Sequence, residues 1–313
     1  MTALKDRLVV LVGGGGFIGR YAAQALLRAG ARIRIAQRDP RAAWFLKTQG
    51  GLGQTQFAAA DLTRPETLAR VVAGADAVVN LTGTFATGQM QALHVDGPAA
   101  LARAAAEAGA SGFVQLSAIG ADPGSDAVYG RSKGLGEAAV RAVFPQATIL
   151  RPSTVFGRED RFVNRFAGMI AGAPIVPVLR SGVRFQPVFV GDVADAIAAA
   201  LADPDARGQA YELGGPDVLT MLALQRWIAD AIGRRTRFVA LPDVAGNLLS
   251  YAGALPGAPI TRDQWKMLQA DTVVRGADGL SALGIAATPL AAVAPAWLVR
   301  YRRQGRFADR LAA

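Results

Sequence analysis

Residues Leu8 to Gly19 read LVVLVGGGGFIG. Leu8 to Val12 is an unbroken apolar run that stops at glycine, the pattern of a strand buried on both faces. Gly13 to Gly16 remove every Cβ from the turn that follows. Phe17 to Ala29 then carries the apolar spacing of a helix that Gly30 terminates. In a strand, glycine turn and helix of this kind, Gly13 and Gly16 let backbone N–H groups approach a pyrophosphate, and Gly19 lets the helix pack close on the strand. The implied ligand is a dinucleotide. Phe17 and Ile18, in the first helical turn, join the three glycines as candidate cofactor-binding positions.

Beyond Gly30 the chain alternates strand and helix. Ala31 to Ala36 predicts the second strand, with Gln37 and Arg38 at its end. An acidic residue there would bind the adenosine ribose hydroxyls, whereas an arginine accommodates a 2′-phosphate, so Arg38 favours NADP(H) over NAD(H). Asp39, next to Pro40, is placed to start a helix. Thr55 to Ala60 predicts a third strand followed by Asp61 and Leu62, and Pro65 opens a helix to Gly74. Asp76 to Leu81 is the fourth strand, with Thr82 and Gly83 at the carboxyl end, where ligands bind in open α/β sheets. Ala92 to Ala108 predicts a long alanine-rich helix in which His94 reads as a packing or capping residue. Gly112 to Ser117 is the fifth strand and Ala147 to Arg151 the sixth.

Twelve residues beyond Ser117 comes Tyr129-Gly130-Arg131-Ser132-Lys133. Spacing of four places the phenol and the ammonium on one helical face, and a cation beside a phenol is expected to lower its pKa and make it a proton donor or acceptor.

Composition narrows the chemistry. With no cysteine and one histidine in 313 residues, thiol nucleophiles and His-rich or thiolate metal sites are excluded, and no metal is expected. The net charge of +10 is spread over both halves, with 15 Lys and Arg against 10 Asp and Glu up to residue 150 and 19 against 14 after it. No stretch forms a basic arm, so nucleic-acid binding gains no support, while an anionic cofactor, membrane surface or acidic partner suits the charge. No apolar h-region precedes Leu8, which points to a cytoplasmic compartment. Residues 240–260 and 283–299 are apolar but broken by proline, so neither is expected to span a bilayer.

The glycine turn, Asp61-Leu62, Asn80-Leu81-Thr82-Gly83, Tyr129 with Lys133, and Leu150-Arg151-Pro152-Ser153-Thr154-Val155-Phe156-Gly157 together resemble the atypical and extended short-chain dehydrogenase/reductases over essentially the whole length. The resemblance implies an α/β chain: a Rossmann-type doubly wound parallel sheet over residues 1–152, to which 186–213 returns, and a smaller C-terminal α/β lobe over 153–313. It also implies roles. Gly13, Gly16 and Gly19 would hold pyrophosphate, Asp61 and Leu62 the adenine, and Leu81, Thr82 and Gly83 the middle of the cofactor. Tyr129 and Lys133 would contact the nicotinamide ribose, and Pro152, Ser153 and Val155 the nicotinamide.

Four further segments are similar to the NADPH-binding accessory subunits of respiratory complex I and their bacterial relatives. They are Phe156 to Phe162 with Asn164 and Phe166, Gln186 to Val190 with Asp192-Val193, Ile260 to Asp263, and Leu283 to Pro289. That likeness implies a nucleotide held without turnover, complex I subunits as partners, and a peripheral place on the cytoplasmic face of the inner membrane. One departure bears on activity. Active extended members carry a hydroxyl run after the fifth strand, but here Ser117 is followed by Ala118 and Ile119, so Ser117 serves catalysis beside Tyr129 and Lys133 only if the protein is active.

Two stretches keep two readings each. Arg158-Glu159-Asp160-Arg161 is either the ion-paired first turn of a helix to Gly172 or a docking surface. Pro295 to Leu311, which interleaves Trp297, Tyr301 and Phe307 with five arginines, is either a helix folded onto its own lobe or an interfacial one. With 240–260, the segment 283–311 is the candidate for membrane contact. Three functions remain: a non-catalytic accessory subunit, a free NADP(H)-dependent reductase or epimerase using Tyr129 and Lys133, and a nucleotide-sensing regulator.

Overall fold

The computed structural model describes residues 3–254 and 260–303. Its first ten principal elements are β1 (Leu8–Val12), α1 (Phe17–Arg28), β2 (Arg32–Gln37), β3 (Thr55–Ala59), α2 (Leu68–Val72), β4 (Ala77–Asn80), α3 (Gly97–Glu107), β5 (Gly112–Leu116), α4 (Val128–Val143) and β6 (Thr148–Pro152). Then come β7 (Val155–Phe156), α5 (Val163–Gly172), β8 (Ile175–Leu179), β9 (Arg184–Phe185), β10 (Val188–Phe189), α6 (Val190–Ala202), β11 (Ala210–Leu213), β12 (Leu219–Thr220), α7 (Met221–Ala231), β13 (Arg237–Leu241) and α8 (Asp243–Tyr251).

The chain divides into two units. The first comprises the residues up to Pro152, Val190–Leu213 and Arg275–Ala286. It is built on a seven-stranded parallel sheet of order β11-β6-β5-β4-β1-β2-β3, so strand order reverses at β1, between β2 and β4. This is a Rossmann-type doubly wound sheet. All five residues of β1 are buried because helices cover both faces. Val10 and Val12 pack with Leu68, Val71, Leu101, Ala105 and Val140 of α2, α3 and α4. The opposite face lies under α1 and α6, which pack together. Gly30, at φ +82°, closes α1 by a Schellman motif in which its N–H donates to Leu27 and that of Ala31 to Leu26.

Residues 275–286 join this unit through a close approach at Gly279, where a Cβ would lie 2.6 Å from the Glu212 carbonyl oxygen. The boundary at 152 drawn from sequence leaves that return in the second lobe.

The second unit holds Ser153–Phe189, Gly214–Val274 and the chain from Ala287 onward. It has three two-stranded sheets, β7 with β10, β9 with β12, and β8 with β13. α5 and α7 pack over a core of Phe156, Val163, Ala167, Leu224, Ile228 and Leu298. Thr220 caps α7, its hydroxyl accepting from the Ala223 N–H.

Three local expectations change. The acidic-basic run at 158–161 is a loop, and the helix starts only at Val163, because buried Asp160 accepts from the N–H groups of Gly157, Phe162 and Asn164 and ties the loop into a knot ahead of the first turn. The single long helix from Pro295 is two short turns, Pro295–Leu298 and Val299–Tyr301, ended where Arg302 turns extended. Phe307 and its neighbouring arginines lie outside the described residues. The helix from Ala92 opens as a wide π turn, Gln91–Asp96, before α3. No helix among the described residues is long and apolar enough to cross a membrane.

Candidate functional site

The first unit gathers most of the expected site residues at the carboxyl ends of β1, β2, β4 and β5, beside the reversal of strand order. Gly13 has φ +82°, open to glycine at little cost, and a Cβ there would press on Thr82 at 3.3 Å. Gly19 lies under the turn, and its Cβ would come within 2.6 Å of Gly14 Cα, so only glycine lets α1 approach β1 this closely. Gly16 caps α1 with no side-chain hydrogen bond, leaving the N–H groups of Phe17, Ile18 and Gly19 without a side-chain acceptor. An uncapped helix start above a cradle that any Cβ would fill is what a pyrophosphate needs.

Gln37 has a part in the glycine turn that sequence reading passed over. Its Oε1 accepts from the Gly15 N–H at 3.0 Å and its Nε2 donates to the Asp39 carbonyl, so a neutral amide braces the glycine turn where a ribose-binding carboxylate would otherwise stand. Arg38 beside it is exposed. Asp61 spends one carboxylate oxygen on the N–H and hydroxyl of Thr63, which hold its pKa down first, with Arg38 and Arg64 adding an electrostatic pull. Arg38 and Asp61 are therefore neighbours at the ends of β2 and β3. Leu62 is buried, where Gly97 lets the chain before α3 close over it.

Next to β1, Asn80 is fully buried and organises the β4 end. Its Oδ1 accepts from the Thr82 N–H and hydroxyl, and its Nδ2 donates to Gln115 on β5. Leu81 donates its N–H to Val12. Gly83 brings this segment toward α4, since a Cβ there would sit 3.6 Å from Lys133 Nζ.

Tyr129 and Lys133 share a face of α4, with Lys133 Nζ 5.9 Å from the Tyr129 ring centre. The expected lowering of the phenol pKa is overturned. Burial pushes Tyr129 up to about 12 and Lys133 down to about 8, the latter partly offset by Glu137. The physical reason is that desolvating a phenolate outweighs one ammonium over the ring, while that ammonium donates to the Leu116 carbonyl at 3.2 Å. Phe85 stacks on Tyr129 at 4.8 Å between ring centres, 16° from parallel.

His94 packs edge-on against Tyr129 at 5.5 Å and is only 1% exposed. Its Nε2 faces the Thr84 N–H, a donor, so Nδ1 carries the proton and donates to Ser132 Oγ, which donates to the Tyr129 carbonyl. Burial and the Lys133 charge lower its pKa to about 3, so it stays neutral. It pins the 82–85 segment to α4. Gly136 permits this, because a Cβ there would strike the His94 carbonyl.

Ser117 is buried and its hydroxyl has no hydrogen-bond partner among the described residues. Pro152 ends β6 and accepts from the Ile119 N–H. Ser153 and Val155 fall in the second unit, where the Ser153 hydroxyl donates to the Thr272 carbonyl at 2.7 Å and Val155 pairs with Val188.

Residues 9–214 match the model of the NAD dependent epimerase/dehydratase family. The chain belongs to this family. Within that short-chain dehydrogenase/reductase group, it is 33% identical over 301 residues to the mouse protein "NADH dehydrogenase [ubiquinone] 1 alpha subcomplex subunit 9, mitochondrial", covering 92% of this chain and 79% of the mouse one. A "Ceramide reductase" of Caulobacter vibrioides is 29% identical over 268 residues, with 80% of each chain covered. Among solved structures, Citrobacter triphenylmethane reductase complexed with NADP(H) has a TM-score of 0.74 at 19% identity, covering 90% of this chain and 97% of that one, a likeness of fold. An epimerase-family glycine turn at the strand-order reversal is a nucleotide-binding arrangement. Bound there, a dinucleotide would rest its pyrophosphate on Phe17–Gly19 and reach toward Tyr129 and Lys133. Such a group supplies hydride chemistry when it turns over.

Proposed function

We propose that this chain holds NADP(H) as a retained component of a bacterial respiratory complex I and does not consume it. The observation that carries the reading is Tyr129. A phenol pushed up to about 12 and stacked against Phe85 surrenders its proton less readily than phenol in water, and the chain carries Ala118 and Ile119 where active relatives carry hydroxyls, yet its ring and Lys133 remain able to grip a ribose. The 2′-phosphate preference rests on Gln37 and Arg38, since a neutral amide and an exposed guanidinium tolerate the extra charge that a carboxylate would repel. The partner assignment rests on similarity to the complex I subunit across 92% of the chain.

We place the chain on the cytoplasmic face of the inner membrane, a reading supported by that proposed partner and by α8. Val244, Leu248 and Tyr251 lie at helical spacing and are 71%, 66% and 66% exposed, with Arg262 over the Tyr251 ring. An apolar face beside a cation suits an interface with anionic lipid.

Purification from native membranes in mild detergent tests the whole reading. NADPH retained in near-equal amount and complex I subunits in the same fraction are expected. A nucleotide-free chain eluting alone refutes it. The second reading, a free NADP(H)-dependent reductase or epimerase, draws on the partnerless Ser117 hydroxyl, the Lys133 pKa near 8 and the similarity to the Caulobacter reductase. It predicts steady oxidation of NADPH with a ceramide-type ketone, a quinone or a sugar nucleotide, lost in Tyr129→Phe.

A further inference from the structure

Two stretches that sequence reading left with open roles come together in the second unit. The loop ahead of α5 and the short helical turns from Pro295 enclose a cavity of 290 Å³ lined by Arg158, Ala296, Trp297, Val299 and Arg300. Three of the lining side chains carry hydrogen-bond donors. The Arg158 side chain is exposed and makes no hydrogen bond or ion pair with any described residue. Arg300 is held in place, donating through Nη2 to Asn164 Oδ1 at 2.6 Å and to the Tyr301 hydroxyl at 3.1 Å, and a guanidinium has further N–H donors beyond these two bonds. The Trp297 indole N–H is buried and has no acceptor among the described residues.

Asp160 does not neutralise this charge. Asp160 turns inward, both oxygens engaged by the N–H groups of Gly157, Phe162 and Asn164. A buried donor without an acceptor is a cost that native packing avoids, and it is removed when an anion arrives.

We propose that this cavity binds a phosphate-class oxyanion, a monoester or diester, with Arg158 and Arg300 neutralising it and the Trp297 N–H donating to one oxygen. Donors from three separate side chains suit a tetrahedral group with several acceptor oxygens better than a planar carboxylate, and 290 Å³ leaves room for the esterified part. The apolar walls at Ala296 and Val299 fit such a substituent. The site goes beyond the dinucleotide reading and shares no residue with it.

The test uses the full chain with two probes, inorganic phosphate and vesicles of phosphatidylcholine containing phosphatidylglycerol. Trp297→Phe keeps the ring and removes one donor, and Arg158→Gln removes one exposed charge, so Arg158→Gln remains readable if the first variant folds poorly. Each is expected to weaken binding about tenfold, the weight of one charge-assisted hydrogen bond. Loss with both probes identifies a lipid headgroup as the source. Loss with phosphate alone identifies a soluble phosphate compound. Unchanged affinity for both probes in the two variants overturns the proposal, as does a glutamate-rich peptide that competes more strongly than phosphate. Phosphate captured at the glycine turn is insensitive to both substitutions, so failure here and failure of the dinucleotide reading are separable.

Discussion

Replacing His94 by glutamine isolates the energetics of the link between the 82–85 segment and α4. His94 is the chain's single histidine, so no other imidazole blurs the readout. Its pKa falls from 6.5 in the unfolded chain to about 3 in the fold, because burial and then the Lys133 charge disfavour the imidazolium. A depressed folded pKa means the neutral form is the stable one. The contribution is complete above 6.5 and is lost as pH falls toward 3. Between about pH 7.5 and about pH 5.5, the unfolded imidazole takes up most of a proton and the folded one takes up almost none, which costs about 1.4 kcal/mol of stability. Urea midpoints at the two pH values should show that loss in the wild type. The glutamine variant can still accept from Thr84 and donate to Ser132, and should show a slope reduced by the same amount. Proton-carbon correlation of the imidazole Cε1 gives a second readout. A folded-state resonance titrating between pH 6 and 7, or equal pH slopes in the two proteins, would refute the argument.

Gly19→Ala forces a Cβ to within 2.6 Å of Gly14 Cα, so overpacking of about 1–3 kcal/mol exceeds the ~1 kcal/mol gain in helix propensity. Thermal melts should fall and NADPH retention should fall further, while Gly172→Ala, at the end of α5 with a Cβ that meets nothing within 4 Å, melts at or slightly above the wild type. Arg38→Ala should weaken NADPH roughly 10- to 100-fold and leave NADH nearly unchanged, checked by direct titration; equal losses for both would remove Arg38 from the 2′-phosphate site. Tyr129→Phe should retain nucleotide within about twofold, since hydroxyl chemistry is not what holds it, whereas Lys133→Met should lose more than about tenfold. Leu248→Asp should lower co-sedimentation with anionic vesicles without shifting the melt, because that side chain is 66% exposed; unchanged sedimentation would dismiss the α8 face.

Local pattern carried much of the architecture. Apolar runs such as Leu8–Val12 and Ala77–Val79, glycines near strand ends, and helices of alanine and leucine are short-range signals. A doubly wound parallel sheet is the arrangement that buries such strands on both faces. The glycine turn was legible for the same reason, since φ +82° at Gly13 and the contact beneath Gly19 demand a missing Cβ that the sequence displays directly. Arg38, Tyr129 and Lys133 could be named from strand ends and helical spacing.

Only tertiary structure decided their electrostatics. Spacing showed an ammonium beside a phenol but not the burial that reverses the expected pKa, nor Phe85 and His94 closing on the ring from other segments. Gln37 gains its role from a turn 22 residues away. Likewise Arg158 and Trp297, 139 positions apart, become one cavity only because the knot around Asp160 delays α5 and the turns from Pro295 pack onto the same lobe. Backbone conformation follows from neighbours in sequence, whereas desolvation and charge depend on what the folded chain brings from far along it.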